Sequence, residues 1–396
     1  MSFNTPAEFW LTGITLADGH LADVLVRAGR IAEIGTAFGA APRFLRSGWL
    51  ALPALVEGHV HLDKTFLGTP WQPHLPGSSV ADRIRLEKLA RAKTNVPVQV
   101  RGGNLVETEL KFGTGYMRSH TDIDGESGLA NFEAELEIRD KYRDEIDIQI
   151  VAFPQSGILA SPGTEAFLDA ALANGADAIG GLDPAGIDRD PVGHLDVIFR
   201  LATKYDKDVD IHLHEGGPLG VFELDLICDR TEKFGLGGRV TVSHAYALGQ
   251  IGPEDLKRFG GRLASAGVSI LTSAPQVSMP PVKALRSLGV NIFAGSDNIR
   301  DAWAPIGNGD ILDRAQIAAR QQDLVSDEDL AMALDLITGA SAKALRLPEY
   351  GIAIGGPADL VLIEAENVAE AVASVPRRRE TYKRGRKVAE LGAPVA

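Results

Sequence analysis

The middle of the chain alternates between short apolar runs rich in β-branched residues and longer stretches with helical spacing. Because strands that alternate with helices in this way pair as a parallel sheet, the pattern restricts the fold to the α/β class. Eight such runs over roughly 250 residues match the number and size of a (β/α)8 TIM barrel, which is the fold we predict. The runs cover residues 52–61, 115–121, 147–153, 177–182, 209–214, 240–245, 268–272 and 290–295.

The two ends of the chain follow a different pattern. Residues 23–34 alternate apolar and polar positions about a central glycine, which predicts a β-hairpin. Further strand-like runs follow the barrel near the other end of the chain. We therefore predict that residues 1–53 and 346–396 form a small composite β-sandwich domain, into which the barrel of residues 54–345 is inserted.

A basic stretch, residues 377–387, lies in a predicted hairpin at the C-terminal end of the chain and includes Arg379 and Lys383. It is compatible with an anion site or with the solvated face of a β-hairpin. The whole chain carries a formal net charge of −13, which favours the second interpretation.

Composition excludes several classes of protein. The 396 residues are 45% hydrophobic, enough for a large core, and the acidic balance argues against nucleic acid or an anionic membrane as a partner. There is no apolar stretch of bilayer length and no secretory signal, so we expect a cytoplasmic protein. Cys228 is the single cysteine. A disulfide and a cysteine zinc site are therefore excluded, and any metal must be held by histidines and carboxylates.

Polar residues collect where the predicted barrel strands end. Two histidines that are two residues apart on a strand point to the same side of the sheet, and the C-terminal ends of barrel strands converge on one face. Six of the nine histidines in the chain lie at such ends, which favours a metal site over scattered core histidines. The polar residues at the strand ends are His59, His61, His120, Gln155, His212, His214, Glu215, His244, Asp297 and Asn298.

Three motifs at these ends carry a family resemblance. They are Gly58-His59-Val60-His61-Leu62-Asp63-Lys64, His212-Leu213-His214-Glu215 and Ser296-Asp297-Asn298-Ile299-Arg300-Asp301-Ala302-Trp303. This pattern resembles the cytosine deaminase branch of the amidohydrolase superfamily, and within it the triazine-degrading members. The resemblance covers essentially the whole chain, including the split β domain. It implies hydrolytic removal of an amine from an amino-substituted N-heterocycle.

The resemblance also implies a metal site. One divalent ion, Zn²⁺ or Fe²⁺, is expected, since three imidazoles and a carboxylate suit either ion. The fourth predicted strand ends in Gly180-Gly181-Leu182-Asp183, without the lysine that bridges two metals in binuclear members. The implied ligands are His59, His61, His212 and Asp297.

The same resemblance suggests how the reaction is divided among side chains. Water activated by the ion attacks the ring carbon, and ammonia or an amine leaves. Asp297 is expected to take the water proton, Glu215 to carry it to a ring nitrogen or the leaving amine, and His244 to orient the nucleophile.

Four residues are predicted to bind the substrate. Gln155 offers a donor and an acceptor to an amide-like ring edge, and Trp303 offers a flat surface for stacking. His214 is expected to face the substrate rather than the metal. Asn298 stands where cytosine deaminase has a second aspartate, which favours a ring other than cytosine.

Two supporting interpretations concern neighbouring residues. His120 is expected to orient His59, to line the pocket or to have a structural role. Asp63 and Lys64 are expected to pair with each other at the barrel rim.

The chain is also expected to form a homo-oligomer, with a small heterocyclic molecule as its substrate.

Other functions remain open at this stage. One is release of an alkylamine from an N-alkyl aminotriazine such as N-isopropylammelide. Another is opening of a cyclic amide, which the missing lysine disfavours. A non-catalytic binding protein on the same scaffold is disfavoured by the complete set of polar strand ends.

Overall fold

The strands form two separate sheets in the computed structural model, which describes residues 5–275 and 278–392. In chain order they are β1 Glu8–Leu16, β2 Leu21–Arg27, β3 Arg30–Gly35, β4 Arg43–Pro53, β5 Leu55–Val60, β6 Thr114–Asp122, β7 Asp147–Phe153, β8 Ala178–Leu182, β9 Asp208–Leu213, β10 Val240–His244, β11 Val268–Thr272, β12 Ile292–Ala294, β13 Leu360–Ile363, β14 Arg379–Lys383 and β15 Arg386–Leu391.

The eight strands β5 to β12 form a parallel sheet in sequence order. A parallel bridge between Val60 and Asp297 joins its first and last members, so the sheet closes into a barrel. This confirms the predicted fold class of an α/β barrel with a separate β sheet built from the chain ends. The predicted run 52–61 was too long, because β4 ends at Pro53 and belongs to the other sheet.

Helices cover the outside of the barrel. They are α1 Val80–Arg91, α2 Val98–Lys111, α3 Ala130–Tyr142, α4 Thr164–Ala173, α5 Pro191–Tyr205, α6 Gly217–Lys233, α7 Pro253–Ala266, α8 Val282–Ser287, α9 Ile311–Gln321, α10 Asp327–Asp335, α11 Gly339–Ala344 and α12 Val368–Ser374, with a short 3₁₀ helix at Tyr246–Gly249. Several of these helices have a side-chain cap at their N-terminus. Asp190 accepts from the backbone of Gly193 at the start of α5, and Ser326 forms a capping box at the start of α10. No helix in the described part of the chain is both long and apolar enough to cross a membrane.

The chain ends build one seven-stranded sheet, in the order β15, β14, β13, β4, β1, β2, β3. The predicted N-terminal hairpin is present as β2 and β3. Hydrogen bonds join all seven strands into a single sheet. The predicted β-sandwich would instead consist of two separate sheets packed face to face. One face carries its own core around Phe9 and Trp49, and Leu50 and Val361 belong to the core of the barrel.

The predicted domain boundaries, 53/54 and 345/346, stay a prediction. Strand β4 ends at Pro53 and helix α11 at Ala344, but α12 packs on the barrel helices α9 and α10 although it lies beyond residue 346. Residues 1–4 and 393–396 of the predicted domain lie outside the described residues.

Two members of the basic stretch are buried, so the interpretation of a solvated face was wrong for them. Arg379 is fully buried and makes two 2.7 Å hydrogen bonds to the carboxylate of Asp310 on the barrel. Lys383, also fully buried, lies 2.7 Å from Asp147 and 2.8 Å from Asp359. Positions 379 and 383 share one face of β14 because side chains alternate along a strand, and that face packs against the barrel.

Candidate active site

A cluster of metal-ligand types lies at the mouth of the barrel, where the strands end. Donor atoms of His59, His212, His244 and Asp297 all lie within 4.8 Å of one another. The histidines come from β5, β9 and β10, and Asp297 follows β12. Residues more than 200 positions apart in the chain therefore converge only because the barrel closes.

His61 follows β5 and contacts Asp297, although it is not one of the four clustered residues. Its Nε2 lies 3.4 Å from Oδ1 of Asp297, and its Nδ1 lies 2.9 Å from the backbone oxygen of His120. A carbonyl oxygen only accepts, so Nδ1 carries the hydrogen and Nε2 presents its lone pair to Asp297. Two electron-rich atoms facing each other are stabilised by a cation between them.

His59 is oriented by a short hydrogen-bonded relay. Ser243 donates its hydroxyl hydrogen to Asp210 at 2.8 Å, so Ser243 accepts from Nδ1 of His59 at 3.1 Å. Nε2 of His59 therefore carries the lone pair, and it lies 3.7 Å from Oδ1 of Asp297. The ring of His120 stacks on His59 with the centroids 3.8 Å apart, and His120 is not among the residues that line the pocket, which favours an orienting or a structural role over a lining role.

The burial and protonation of these imidazoles fit a metal. Nε2 of His59 and both ring nitrogens of His212 and His244 are buried without a hydrogen-bond partner in the described chain. Such orphaned nitrogens are costly unless something else binds them. Burial lowers the pKa of His59 and His212 well below the usual value, and that of His244 to about 3. Neutral imidazole is the form that ligates metals.

Asp297 supplies the negative charge. Its Oδ1 lies 3.4 Å from Nε2 of His61 and 3.7 Å from Nε2 of His59. Imidazoles with one carboxylate suit zinc or iron(II). His244 lies as close to the cluster as the predicted ligands, so ligation and orientation of the nucleophile are both geometrically available to it.

The backbone around the cluster is held in uncommon conformations. His244 has φ of 73° and Asp297 has φ of 62°, in the left-handed region that non-glycine residues rarely adopt. The backbone N–H of Asp297 donates to the carbonyl oxygen of His59 at 2.7 Å. The buried carboxylate of Glu57 accepts from the backbone of His59 at 3.1 Å and of Ser296 at 2.8 Å. Glu57 thereby fixes the first and last strands beside the cluster.

A pocket of about 400 Å³ opens above the cluster. All four predicted substrate-binding residues line it, namely Gln155, His214, Asn298 and Trp303. Leu182 and Val80 give it an apolar side, and His61, His212 and Asp297 form its inner end. A flat ring can therefore lie against apolar surface with one edge at the donor cluster.

Glu87 on α1 organises the polar wall of this pocket. Its Oε2 accepts from the indole nitrogen of Trp303 at 2.6 Å and from Nε2 of Gln155 at 3.1 Å. The side-chain oxygen of Gln155 is thereby turned away from Glu87 and is the group that remains to accept from a ring N–H. The sequence reasoning missed Glu87, because it lies in a connecting segment.

The expected pairing of Asp63 with Lys64 was wrong. Lys64 lies 3.3 Å from Asp122 and 3.8 Å from Glu87, and Asp63 lies 3.5 Å from Arg91. Asp63 and Lys64 lie in a turn beyond the end of β5 at Val60, and each side chain meets a different partner from another segment of the chain.

His214 is fixed by Asp183, which follows β8. Its Nδ1 lies 2.9 Å from the Asp183 carboxylate, and its ring stacks on His244 with centroids 4.4 Å apart. Burial alone would lower the pKa of His214, but the Asp183 carboxylate outweighs burial and raises it. His214 thus presents a hydrogen-bond donor to the pocket.

Glu215 follows β9, but it is not among the residues that line the pocket. Its carboxylate packs against Gly186, where an added Cβ would come within 2.8 Å of Oε1. Burial and the adjacent Glu215 raise the pKa of Glu223 to about 9, so Glu223 holds a proton beside it. The proton-carrying role of Glu215 stays a prediction.

Comparisons with known proteins agree with this arrangement. Residues 74–389 match the pattern described as Amidohydrolase family. The chain is 33% identical to N-isopropylammelide isopropyl amidohydrolase of Pseudomonas sp. (strain ADP), with 86% of each chain covered.

Two solved structures are also similar. N-isopropylammelide isopropylaminohydrolase of Burkholderia multivorans is 40% identical with a TM-score of 0.93, covering 98% of this chain and all of that one. 5-Methylcytosine deaminase of Klebsiella pneumoniae, liganded with 5-fluorocytosine, is 26% identical with a TM-score of 0.87, covering 98% of both chains.

Proposed function

The chain belongs to the amidohydrolase family, and from that premise we propose that it removes an exocyclic amine from an N-heterocycle by hydrolysis. The observation that carries the proposal is the convergence of orphaned imidazole nitrogens with Asp297 beneath a pocket with an apolar side. An isopropylaminohydrolase and a 5-methylcytosine deaminase are similar to the chain over nearly its whole length.

The proposed metal ligands are His59, His61, His212 and Asp297, with His244 adjacent. When bound, a single zinc or iron(II) ion lowers the pKa of water to about 7, which makes a nucleophile available at neutral pH. The relay from Asp210 through Ser243 keeps the lone pair of His59 directed at the site.

The remaining steps belong to side chains. Trp303 and Leu182 hold the ring flat, and the side-chain oxygen of Gln155 accepts from a ring N–H. Asp297 takes the proton of the attacking water, and Glu215 delivers a proton to the ring nitrogen or the leaving amine. His214 donates a hydrogen bond to a ring acceptor beside the reacting carbon.

The leaving group defines a second candidate. Release of an alkylamine from an N-alkyl aminotriazine has equal support, because the solved isopropylaminohydrolase and the solved deaminase are both similar to the chain over 98% of its length. Both reactions use the same nucleophile and differ in the group that leaves.

A substrate screen tests the proposal. Metal-loaded protein is incubated with cytosine, 5-methylcytosine, N-isopropylammelide and pterin, and ammonia, isopropylamine and ring absorbance are followed. We expect an amine product with the ring absorbance of an intact heterocycle. Loss of ring absorbance with a new carboxylate, or no turnover of any aminated ring by protein that binds metal, would overturn it.

A further inference from the structure

Two permanent cations line the pocket. Among the described lining residues they are Lys64 and Arg83, and Asp297 is the one carboxylate. A cation in the lining that the protein does not itself neutralise favours ligands of negative charge.

The two cations differ in how they are compensated. Lys64 faces Asp122 and Glu87, so it is neutralised within the protein. Arg83 has no carboxylate partner in the described chain. Its guanidinium carbon lies 5.8 Å from the ring centroid of Trp303.

The neighbouring arginine on the same helix is a useful contrast. Arg85 is exposed, as Arg83 is, but it lies outside the pocket lining and contacts Asp82 at 2.7 Å. Arg83 thus brings to the pocket a charge that the protein leaves available to a ligand.

We propose that Arg83 binds negative charge on the substrate, so that anionic N-heterocycles are preferred over neutral ones. The shared chemistry is a delocalised anion, either a carboxylate substituent or a ring imide that has lost its proton. Guanidinium matches such planar anions because it offers parallel N–H donors. This inference rests on the proposed function and narrows its substrate class.

The position of Arg83 also orients the ring. The ring of Trp303 lies next to the guanidinium of Arg83. Both residues line the same pocket as Asp297 of the donor cluster. A ring stacked on Trp303 can direct its reacting carbon to Asp297 while its anionic edge faces Arg83. Arg83 is therefore a specificity residue, which acts on binding more than on the chemical step.

Matched probes test this by binding alone. Calorimetry on metal-loaded protein compares orotate, which carries a ring carboxylate, with uracil, which does not. We expect orotate to bind the wild type about tenfold more tightly, which corresponds to about 1.4 kcal/mol. Arg83→Met should remove that preference, Arg83→Lys should retain part of it, and Arg85→Met should leave it unchanged. Melting temperatures establish that each variant is folded.

A second experiment distinguishes a carboxylate substituent from a deprotonated ring imide as the source of the negative charge. Cyanuric acid loses a ring proton in the neutral range, so its affinity should rise with pH in the wild type and stay flat in Arg83→Met if a ring imide is recognised. A pH-independent preference for orotate indicates a carboxylate. Equal affinity for orotate and uracil, with cyanuric acid affinity that is independent of pH, overturns the inference.

These results are independent of the proposed reaction. A charge preference that depends on Arg83 would survive even if no aminated ring were hydrolysed. Turnover of an aminated ring with no effect of Arg83→Met on KM would leave the proposed function standing and remove this inference.

Discussion

The mouth of the barrel and the contact between the barrel and the terminal sheet both bury polar groups, yet they satisfy them in opposite ways. At the contact, Arg379 and Lys383 find carboxylates within 2.8 Å. At the mouth, ring nitrogens of His212 and His244 have no hydrogen-bond partner in the described chain. The buried cations Arg379 and Lys383 at the contact are paired within the protein, whereas the orphaned imidazoles at the mouth require a ligand.

The largest expected effect comes from removing an imidazole at the mouth. His61→Ala should lose bound metal and turnover together, because Nε2 of His61 faces Asp297 at the donor cluster. Metal analysis should fall from about one ion per chain to background. His20→Ala is the matched control, since His20 is exposed and far along the chain from the site. Full metal content in His61→Ala would contradict its assignment as a ligand.

Substitution of Glu215 tests the chemical step independently of metal binding. Glu215→Gln should lower turnover by about 10² to 10⁴ while metal content and melting temperature stay near those of the wild type, because the amide cannot carry the proton. Steady-state rates and metal analysis on the same preparation check this. A near-normal rate would remove Glu215 from the mechanism, and its place outside the pocket lining makes this a demanding test.

At the contact between the barrel and the terminal sheet, a substitution is expected to change stability and leave metal binding unaffected. Arg379→Met leaves the buried Asp310 without its partner and should lower the free energy of unfolding by about 3–5 kcal/mol. Chemical denaturation measures the loss, and metal content per folded chain should not change. The double variant Arg379→Met with Asp310→Leu should recover much of it. Loss of metal in the folded single variant would show that the two regions are coupled.

The smallest expected effect is a pH dependence at the rim of the mouth. Burial alone would raise the pKa of Glu87, but Lys64 and Arg91 outweigh burial and hold it at about 2. Since this lies below the ordinary value of 4.5, Glu87 stabilises the fold above pH 4.5, and that stabilisation is lost as the pH falls towards 2.

Glu87→Gln isolates this contribution. The stability difference between wild type and variant should shrink by about 2–3 kcal/mol between pH 5 and pH 2, as measured by urea denaturation. Glu126→Gln is the control, because Glu126 is largely exposed. Parallel curves for wild type and Glu87→Gln would show that the pair with Lys64 does not set the pKa.

The sequence was most informative where side chains follow strand periodicity. Barrel strands β7 and β11 have the predicted bounds, 147–153 and 268–272, because continuous β-branched runs are flanked by clear helical patterns. The strand-end histidines were found for the same reason. Helix α1 was missed, since charged residues occupy most of its surface and only Ile84 and Glu87 are buried.

What the sequence could not show is which distant groups meet. Glu57 has the same strand parity as His59 and His61, a signal that would have placed it towards the site, but its contact with Ser296 depends on barrel closure. Glu87 and Arg83 lie in a connection whose path over the mouth is set by packing. The same holds for Arg379, whose partner Asp310 belongs to another part of the chain.

The bridge between Val60 and Asp297 also bears on how the chain is made. Glu57 and Ser296, which flank it, are 239 residues apart. At a synthesis rate of about 5–20 residues per second, roughly 10 to 50 seconds separate their emergence from the ribosome. Throughout that interval β5 has an unpaired edge, so the nascent chain is exposed to mispairing, and the carboxylate of Asp297 can join the histidines only after β12 has been translated.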